Sequence, residues 1–574
     1  MSRFLLLLLF LIWMAWRSDA AAPRAAHPLD LALFFGMYAL VVVTLGMWSR
    51  LLARRIVTGR ARRGRRYFGK VSFAAQLFIP AWLAVGTFFL GWGPTVQRIL
   101  GPVGEMPVQV PGALIGTLPA LLTWIALWWS QYPADRALRD QGLLVRLDQD
   151  LPISASPTLG EYVRQNLRLQ ILFTAAPIVL ILALHDVIMV GLGRMLRMDL
   201  QGSAAEGMVT LFSAITVFVM SPILLARILG ARPLPASDLR DRLQAMASLY
   251  RLRFRNILLW PTHHRIANAL VMGVVPRFRY VLLSDLLLEE MTDEQIEAVF
   301  AHELGHVVHR HMIWYLVFMK VLVLALAVVA LVLEAAQQRW MQLPAWMPVD
   351  LLMTLIGFGA FLLAFGYVSR RFERQADVFA ARTLERHLAP LLGTAAPATT
   401  NLLAGSQPYD DSVQFPDAAE AAGDAPWQQI SQMPQTGVAR SPTAIAPANP
   451  ATSATPAPAP TYPGHRSHVG PLGASIFASA LERVALINNM PIGSPRRLEG
   501  SLIQRLGWFA EQFADLANNW LHGSISTRMR ALQRMSTDPA HTHRFDQRMS
   551  RLYAGLLGAL LITAALAWMI KLPV

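Results

Sequence analysis

The sequence contains no cysteine in its 574 residues. This absence excludes disulfide frameworks, thiol nucleophiles and metal sites that use cysteine ligands. Any metal that the chain binds must therefore be held by carboxylates and by histidines, of which there are 14.

Charged residues are also scarce, at 15% of the chain, whereas hydrophobic residues make up 54%. This balance is typical of a protein that is dissolved largely in lipid. The formal net charge is +15, and lysine occurs only at positions 70, 320 and 571, so arginine carries nearly all of the positive charge. A basic excess of this size fits either nucleic acid or an anionic membrane surface. The placement of the arginines favours the membrane, and we expect no nucleic-acid partner.

Long apolar stretches recur along the chain, and each approaches the ~20 residues needed to cross the hydrocarbon layer. They lie near residues 31–48, 71–92, 111–130, 171–192, 207–226, 313–333, 351–368 and 552–570. The loop 49–70 carries nine basic residues and is therefore predicted to be cytoplasmic. Alternation from this loop puts 227–312 and 369–551 on the same cytoplasmic side.

The chain is therefore predicted to be mainly α, a polytopic helical membrane protein with a cytoplasmic α+β domain. We predict a signal peptide or short anchor over 1–22, followed by five transmembrane helices with basic cytoplasmic loops over 31–226. A cytoplasmic catalytic region over 227–312, two transmembrane helices over 313–368 and a helix with a third metal ligand over 369–389 come next. The chain then continues with a disordered Ala/Pro/Thr-rich insertion over 390–470, a further cytoplasmic part of the domain over 471–551 and a last transmembrane helix over 552–570.

Within the first cytoplasmic region, an amphipathic helix near 237–250 precedes strand-like segments at 256–260, 269–275 and 279–284. A helix is predicted to begin at Thr292, because Thr292 and Gln295 have the spacing of a capping box.

That helix contains the pattern His-Glu-x-x-His at His302, Glu303 and His306. The i, i+4 spacing puts both imidazoles on one helix face, where they can share a metal ion. Zinc with three protein ligands keeps a fourth position for water and lowers the pKa of that water toward ~7. Glu303 lies beside the same site and could take the proton as hydroxide attacks a carbonyl. The alternative is an exposed helix with two unrelated histidines.

The third ligand distinguishes the classes of metallopeptidase. A metzincin needs glycine and histidine at positions 309 and 312, where this chain has His309 and Met312. A gluzincin needs a glutamate from a second helix, commonly followed four residues later by an aspartate, and Glu373 and Asp377 have this spacing. Asp377 would then orient a ligating histidine through its second ring nitrogen. An ordinary cluster of charges beside the membrane is the alternative.

Other ionisable residues lie near the motif or inside apolar stretches. His309 could compete as a ligand, but for His309 and His311 a surface or supporting position is favoured. His185, Asp186 and Lys320 lie within apolar runs, where charge is costly, so we expect them to face a water-filled interior or an interface.

Two segments, QIEAVFAHELGH at 295–306 and SRRFERQAD at 369–377, resemble the membrane metallopeptidase family that includes CAAX prenyl protease 1 and the HtpX heat-shock protease. Asn268-Ala269 resembles the segment of that family that leads into the edge strand holding extended substrate. HGSISTR at 522–528 resembles a further family segment, although this chain has Gly523 where the family usually has proline. The resemblance covers roughly 237–387 and 500–533.

The resemblance implies a role for each matching residue. It implies one zinc ion per chain, held by His302, His306 and Glu373, with Glu303 as general base and Asp377 supporting a ligand. It also implies that His522 and Arg528 stabilise the oxyanion or anchor the substrate backbone. Asn268 and Ala269 would bind substrate through the edge strand.

We therefore expect a zinc-dependent endopeptidase of the gluzincin type that is integral to a bacterial inner membrane, with its active site on the cytoplasmic side. Its expected partners are the lipid bilayer and membrane-bound or membrane-delivered proteins, cleaved in processing or quality control. Two alternatives remain open: a non-catalytic zinc-binding scaffold or regulator, and a transporter. Glu303 speaks against the scaffold, and no internal pseudo-symmetry supports the transporter.

Overall fold

The computed structural model describes residues 2–18, 27–58, 62–101, 109–148, 156–196, 204–340, 349–392, 468–488, 490 and 523–569. Most of the predicted insertion and His522 therefore lie outside the described residues.

The N-terminal part of the chain is entirely helical in its described residues. Its helices are α1 Ser2–Ser18, α2 Pro28–Val57, α3 Arg62–Phe88, α4 Trp92–Leu100, α5 Val110–Asp148, α6 Leu159–Asn166, α7 Phe173–Leu196 and α8 Ala204–Ile228. A π-helical stretch, Leu167–Leu172, joins α6 directly to α7. Helices α1, α2, α3 and α5 enclose a hydrophobic core in which Trp13, Phe34 and Trp124 are fully buried.

Helix α1 packs inside this bundle rather than beside it. The ring of Trp13 lies against Gly112 and Gly116 of α5, where an added Cβ would come as close as 2.1 Å to the indole. The two interpretations of this segment, signal peptide and short anchor, both remain predictions.

The C-terminal part combines helices with a small sheet. Its helices are α9 Asp238–Leu249, α10 Asp285–Glu290, α11 Asp293–Val308, α12 His311–Trp340, α13 Val349–Leu392, α14 Pro471–Ile487, α15 Ile525–Thr537 and α16 Pro539–Met569. Its strands are β1 Arg232–Pro233, β2 Asn256–Trp260, β3 Ala269–Met272 and β4 Tyr280–Ser284.

The four strands form one sheet in the order β1-β2-β4-β3. Strand β2 runs parallel to β4, and β3 runs antiparallel to β4 with Val271 opposite Val281. Strand β3 is thus an edge, and one side of its backbone faces α11. The sheet and helices α9, α11, α13, α14 and α15 share a second core, in which Phe300, Phe372 and Phe477 are buried.

Among the described residues, eight helices are long and apolar enough to cross a membrane. They are Pro28–Val57, Phe68–Phe88, Val110–Leu143, Leu159–Leu196, Ala205–Ile228, His311–Val332, Val349–His387 and Pro539–Leu566. Each overlaps one of the apolar stretches found in the sequence. The predicted architecture, a polytopic helical membrane protein with a small α+β part, is confirmed.

Candidate active site

Helix α11 supplies two histidines to one point. Its start is fixed by the predicted capping box, in which Thr292 and Gln295 each bind the other's backbone N–H group. One turn apart near its end, His302 and His306 point their Nε2 atoms toward each other, 3.3 Å apart. The sequence pattern and the helix geometry therefore agree at this position.

Helix α13 crosses α11 closely enough to bring a carboxylate to the same point. The close approach requires Gly305, because a Cβ there would lie 3.0 Å from the Cα of Ala376. One turn earlier on α13, Glu373 places one oxygen 3.5 Å from His302 Nε2 and the other 3.5 Å from His306 Nε2. The Glu373 side chain is buried, at 5% exposure.

These three separations match what a small tetrahedral cation requires. Zinc bonds of about 2.1 Å to nitrogen and oxygen, set at tetrahedral angles, hold neighbouring ligand atoms about 3.4 Å apart. The two Nε2 atoms of His302 and His306 are 3.3 Å apart, and each lies 3.5 Å from a different oxygen of Glu373. All three residues offer ligand atoms within 4.8 Å of one another. The donor set therefore fits a zinc-sized ion with one position left over.

A buried ion pair supports this cluster from behind. Asp377 Oδ1 lies 3.0 Å from His302 Nδ1, on the ring side that faces away from Glu373. Arg528 donates to both oxygens of Asp377, from Nε at 2.9 Å and from Nη2 at 2.5 Å. Burial alone would lower the pKa of His302, but its contacts with Asp377 and Glu373 outweigh burial and raise that pKa to about 9. Because a ligating histidine must be neutral, cation binding would be coupled to release of this proton.

His306 is oriented by a chain of polar contacts that the sequence did not reveal. The turn between α11 and α12 uses a left-handed residue, Arg310, with φ of 54°. It brings His311, which is fully buried, to 2.9 Å from His306, Nδ1 to Nδ1. His311 Nε2 in turn lies 3.0 Å from Gln375 Oε1, which also accepts from the Tyr553 hydroxyl of α16 at 2.5 Å.

This chain determines which nitrogen of each ring carries the proton. Gln375 Oε1 is an acceptor, so His311 must donate from Nε2 and keep a lone pair on Nδ1. His306 then donates from Nδ1, which leaves its Nε2 lone pair directed at Glu373 and the cation position. Only the proximity of His311 to the motif was visible in the sequence, since its contact depends on the turn at Arg310.

Glu303 is held by the edge strand of the sheet. Its Oε2 accepts from the backbone N–H group of Val271 at 3.0 Å. On β3, the Asn268 carbonyl accepts from the Ser284 N–H group of β4 and the Asn268 N–H group donates to the Ser284 hydroxyl, so the alternate residues Ala269 and Val271 turn their backbone groups away from β4. Near the start of this edge, Asn488 bonds both the N–H and the carbonyl of Ala267.

The segment around His522 is only partly described. His522 lies outside the described residues, and Gly523 beside it has φ of 72°, a value that proline cannot adopt. The departure from the expected proline therefore accompanies a different local backbone. Arg528, on α15, lies against Asp377 and 3.7 Å from Glu373. Its guanidinium therefore contacts the carboxylates around the candidate metal position. Its expected direct contact with substrate stays a prediction.

Comparison with known proteins gives the family. Residues 233–405, which include the sheet, the His-Glu motif and Glu373, match the profile of peptidase family M48. The chain therefore contains a peptidase family M48 domain over these residues. It is 28% identical over 184 residues to the CAAX prenyl protease 1 homolog of Arabidopsis thaliana, a match that covers 29% of this chain. The chain spans 42% of the length of that curated relative.

One solved structure also matches the chain. The crystal structure of S. mikatae Ste24p matches at 14% identity with a TM-score of 0.37, covering 63% of this chain and 89% of that one. The sequence-based prediction of the family is confirmed by the profile match and the curated relative. The roles of individual residues rest on the geometry given above.

Proposed function

We propose that this protein is a zinc-dependent endopeptidase that cleaves membrane-bound or membrane-delivered proteins. The observation that carries the proposal is the convergence of His302, His306 and Glu373 at the spacing of a tetrahedral zinc site. When bound there, zinc supplies Lewis-acid activation of water, whose pKa falls toward ~7. A scaffold or a transporter would have no use for the base that lies beside these ligands.

Glu303 is the proposed proton carrier. Its carboxylate takes the proton from the attacking water and delivers it to the leaving amine. The bond from Val271 N–H to Glu303 Oε2 ties this base to the strand where the substrate would lie. Base and peptide are thereby held by the same few residues.

Strand β3 is the proposed substrate platform. A peptide in extended form would add to the sheet by pairing with the edge of β3, where the backbone groups of Ala269 point away from β4. Asn268 precedes this position and Asn488 fixes the preceding backbone through Ala267. Main-chain pairing of this kind recognises an extended backbone more than a particular sequence.

Asp377 and Arg528 are proposed to act through the ligands. Asp377 orients His302, and Arg528 neutralises the buried Asp377 carboxylate with two hydrogen bonds. Oxyanion stabilisation is assigned to His522, as the family resemblance implies.

The active site is proposed to lie at the cytoplasmic face of a bacterial inner membrane. The basic loop 49–70 supports this orientation, because cytoplasmic loops collect arginine and lysine. Substrates at that face would be membrane proteins whose segments become extended, which fits processing or quality control.

The test is Glu303→Gln in the full-length protein purified in detergent. We expect bound zinc to remain stoichiometric while hydrolysis of an unfolded membrane-protein substrate falls on the order of 10²–10⁴-fold. Glu294→Gln, an exposed position on the same helix, is the matched control and should change neither. Full activity of Glu303→Gln would remove this residue from the mechanism. Wild-type protein that binds zinc but cleaves nothing would instead support a non-catalytic scaffold.

A further inference from the structure

A basic cleft lies on helices that also carry residues of the candidate active site. It has a volume of about 260 Å³ and is formed by one face each of α13, α15 and α16. The basic residues that line it are Arg371, Arg374, Arg534, His541, Arg544 and Arg548. Five guanidinium groups thus share one cleft that has no acidic residue among its lining residues.

The cleft has too few carboxylates nearby to neutralise its arginines. Of the two nearby aspartates, Asp546 pairs with Arg382 and Asp538 with His541. Asp538 also lies 3.7 Å from Arg544, at the rim. Within the described part of the chain, no carboxylate forms an ion pair with Arg371, Arg374, Arg534 or Arg548. Mutual repulsion of these groups is relieved most directly by a bound anion.

The lining has the chemistry of a phosphate site. Guanidinium groups bind phosphate oxygens in bidentate fashion and are more weakly hydrated than ammonium groups. Half-buried Arg371 and Arg374 form the floor, while Arg544 and Arg548 are exposed at the opening. The remaining wall is apolar, with Met535 and Phe545 buried.

The depth of the cleft matches the headgroup layer of a bilayer. The apolar part of α13 ends at Val368 and that of α16 begins at Leu552. At a helix rise of 1.5 Å per residue, Arg371 and Arg548 lie about 5 Å beyond the hydrocarbon edge. Each headgroup layer is about 5–8 Å thick, so these two arginines lie at the depth of lipid phosphates. Basic pockets between membrane helices are known positions for anionic headgroups.

We infer that this cleft binds a phosphate group carrying net negative charge. The phosphate is supplied by an anionic phospholipid headgroup or by a soluble phosphate, and the depth of Arg371 and Arg548 favours the headgroup. The three helices that form the cleft also carry Glu373, Arg528 and Tyr553. A bound phosphate would therefore join the helices that build the metal site.

The experiment titrates the full-length protein in uncharged detergent with three probes: short-chain phosphatidylglycerol, short-chain phosphatidylcholine and inorganic phosphate. Native mass spectrometry counts the bound molecules. The test variant is Arg544→Gln with Arg548→Gln, both exposed positions, and the matched control is Arg551→Gln, an exposed arginine of α16 that does not line the cleft. Arg371→Gln provides a second, independent variant on α13.

We expect one saturable phosphatidylglycerol site, weakened about tenfold or more in the double variant and in Arg371→Gln, and unchanged in Arg551→Gln. Phosphatidylcholine should not compete. Binding of phosphatidylglycerol without competition by inorganic phosphate identifies the headgroup as the source, whereas inorganic phosphate that saturates and competes identifies a soluble source. Equal affinity in wild type and double variant, equal binding of phosphatidylcholine, or an equal loss in Arg551→Gln would overturn the inference.

Discussion

Two clusters of buried histidine and carboxylate occur in the described chain, and they use their polar atoms differently. In the first, His302, His306 and Glu373 each direct one ligand atom toward a common point. In the second, His185 lies 3.3 Å from Asp186 and 3.8 Å from Glu206. Both clusters have the composition of a metal site, yet only the first converges.

In the second cluster, the Asp186 carboxylate binds backbone N–H groups. Asp186 accepts from the N–H groups of Gln109 and Val110, the unpaired donors where α5 begins. A carboxylate at a helix N-terminus satisfies those donors and is favoured by the helix dipole. Buried charge inside a membrane protein is therefore no sufficient sign of a functional site. The two clusters differ in whether their ligand atoms converge on one point.

Removing the carboxylate from each cluster should give the largest contrast. Glu373→Ala should abolish both stoichiometric zinc binding and peptide hydrolysis, because the site loses one of three protein ligands. Glu206→Ala, the matching change beside His185, should leave both unchanged. Metal analysis and a peptidase assay on the two purified variants check this contrast, and loss of zinc in Glu206→Ala would show that the clusters communicate.

Breaking the ion pair behind the first cluster should mainly affect stability. Arg528→Ala leaves the buried Asp377 carboxylate without the cation that neutralises it, which should cost ~3–5 kcal/mol of unfolding free energy. Denaturant unfolding in detergent measures the loss. The double change Arg528→Ala with Asp377→Asn should recover part of it. If the double variant is as unstable as Arg528→Ala, packing rather than charge explains the effect.

Removing the support of His306 should weaken the metal without removing a ligand. In His311→Phe the ring still stacks on Phe372, from which it lies 4.4 Å in parallel orientation, but the contact to His306 Nδ1 is lost. We expect zinc affinity to fall about 10–100-fold, as for other supporting partners of ligating histidines. Competition with a chelator measures it. Tyr553→Phe, two contacts farther away, should give a smaller loss in the same assay.

The smallest effect is expected in the second cluster. Asp186→Ala removes a helix cap and should cost about 0.5–2 kcal/mol of stability. Thermal unfolding in detergent checks this, and zinc content and peptidase activity should stay at wild-type values. A loss of activity larger than the loss of folded protein would contradict the assignment of Asp186 to helix capping.

The same contrast shows what the sequence could predict. Hydropathy located the membrane helices, and the spacing at 302–306 identified the family, because both signals are local and periodic. The position of Glu373 beside the motif depends on Gly305, which is part of the motif and so could be anticipated by resemblance. The contacts of His311 and Arg528 were not predictable, since they depend on a turn at Arg310 and on helices far apart in the chain. The capping role of Asp186 was not predictable for the same reason, as its partners lie 76 and 77 residues away.

The bond between Val271 and Glu303 has a consequence for how cleavage sites are chosen. On the proposed pairing of substrate with β3, the Val271 amide is already bonded to Glu303, so a peptide would align only in registers that leave this amide to Glu303. In that case the register relative to Val271 would determine which peptide bond is cleaved, whatever side chains the peptide carries. An enzyme of this proposed kind would select segments that can adopt an extended conformation. A folded segment would be cleaved only after it unfolds.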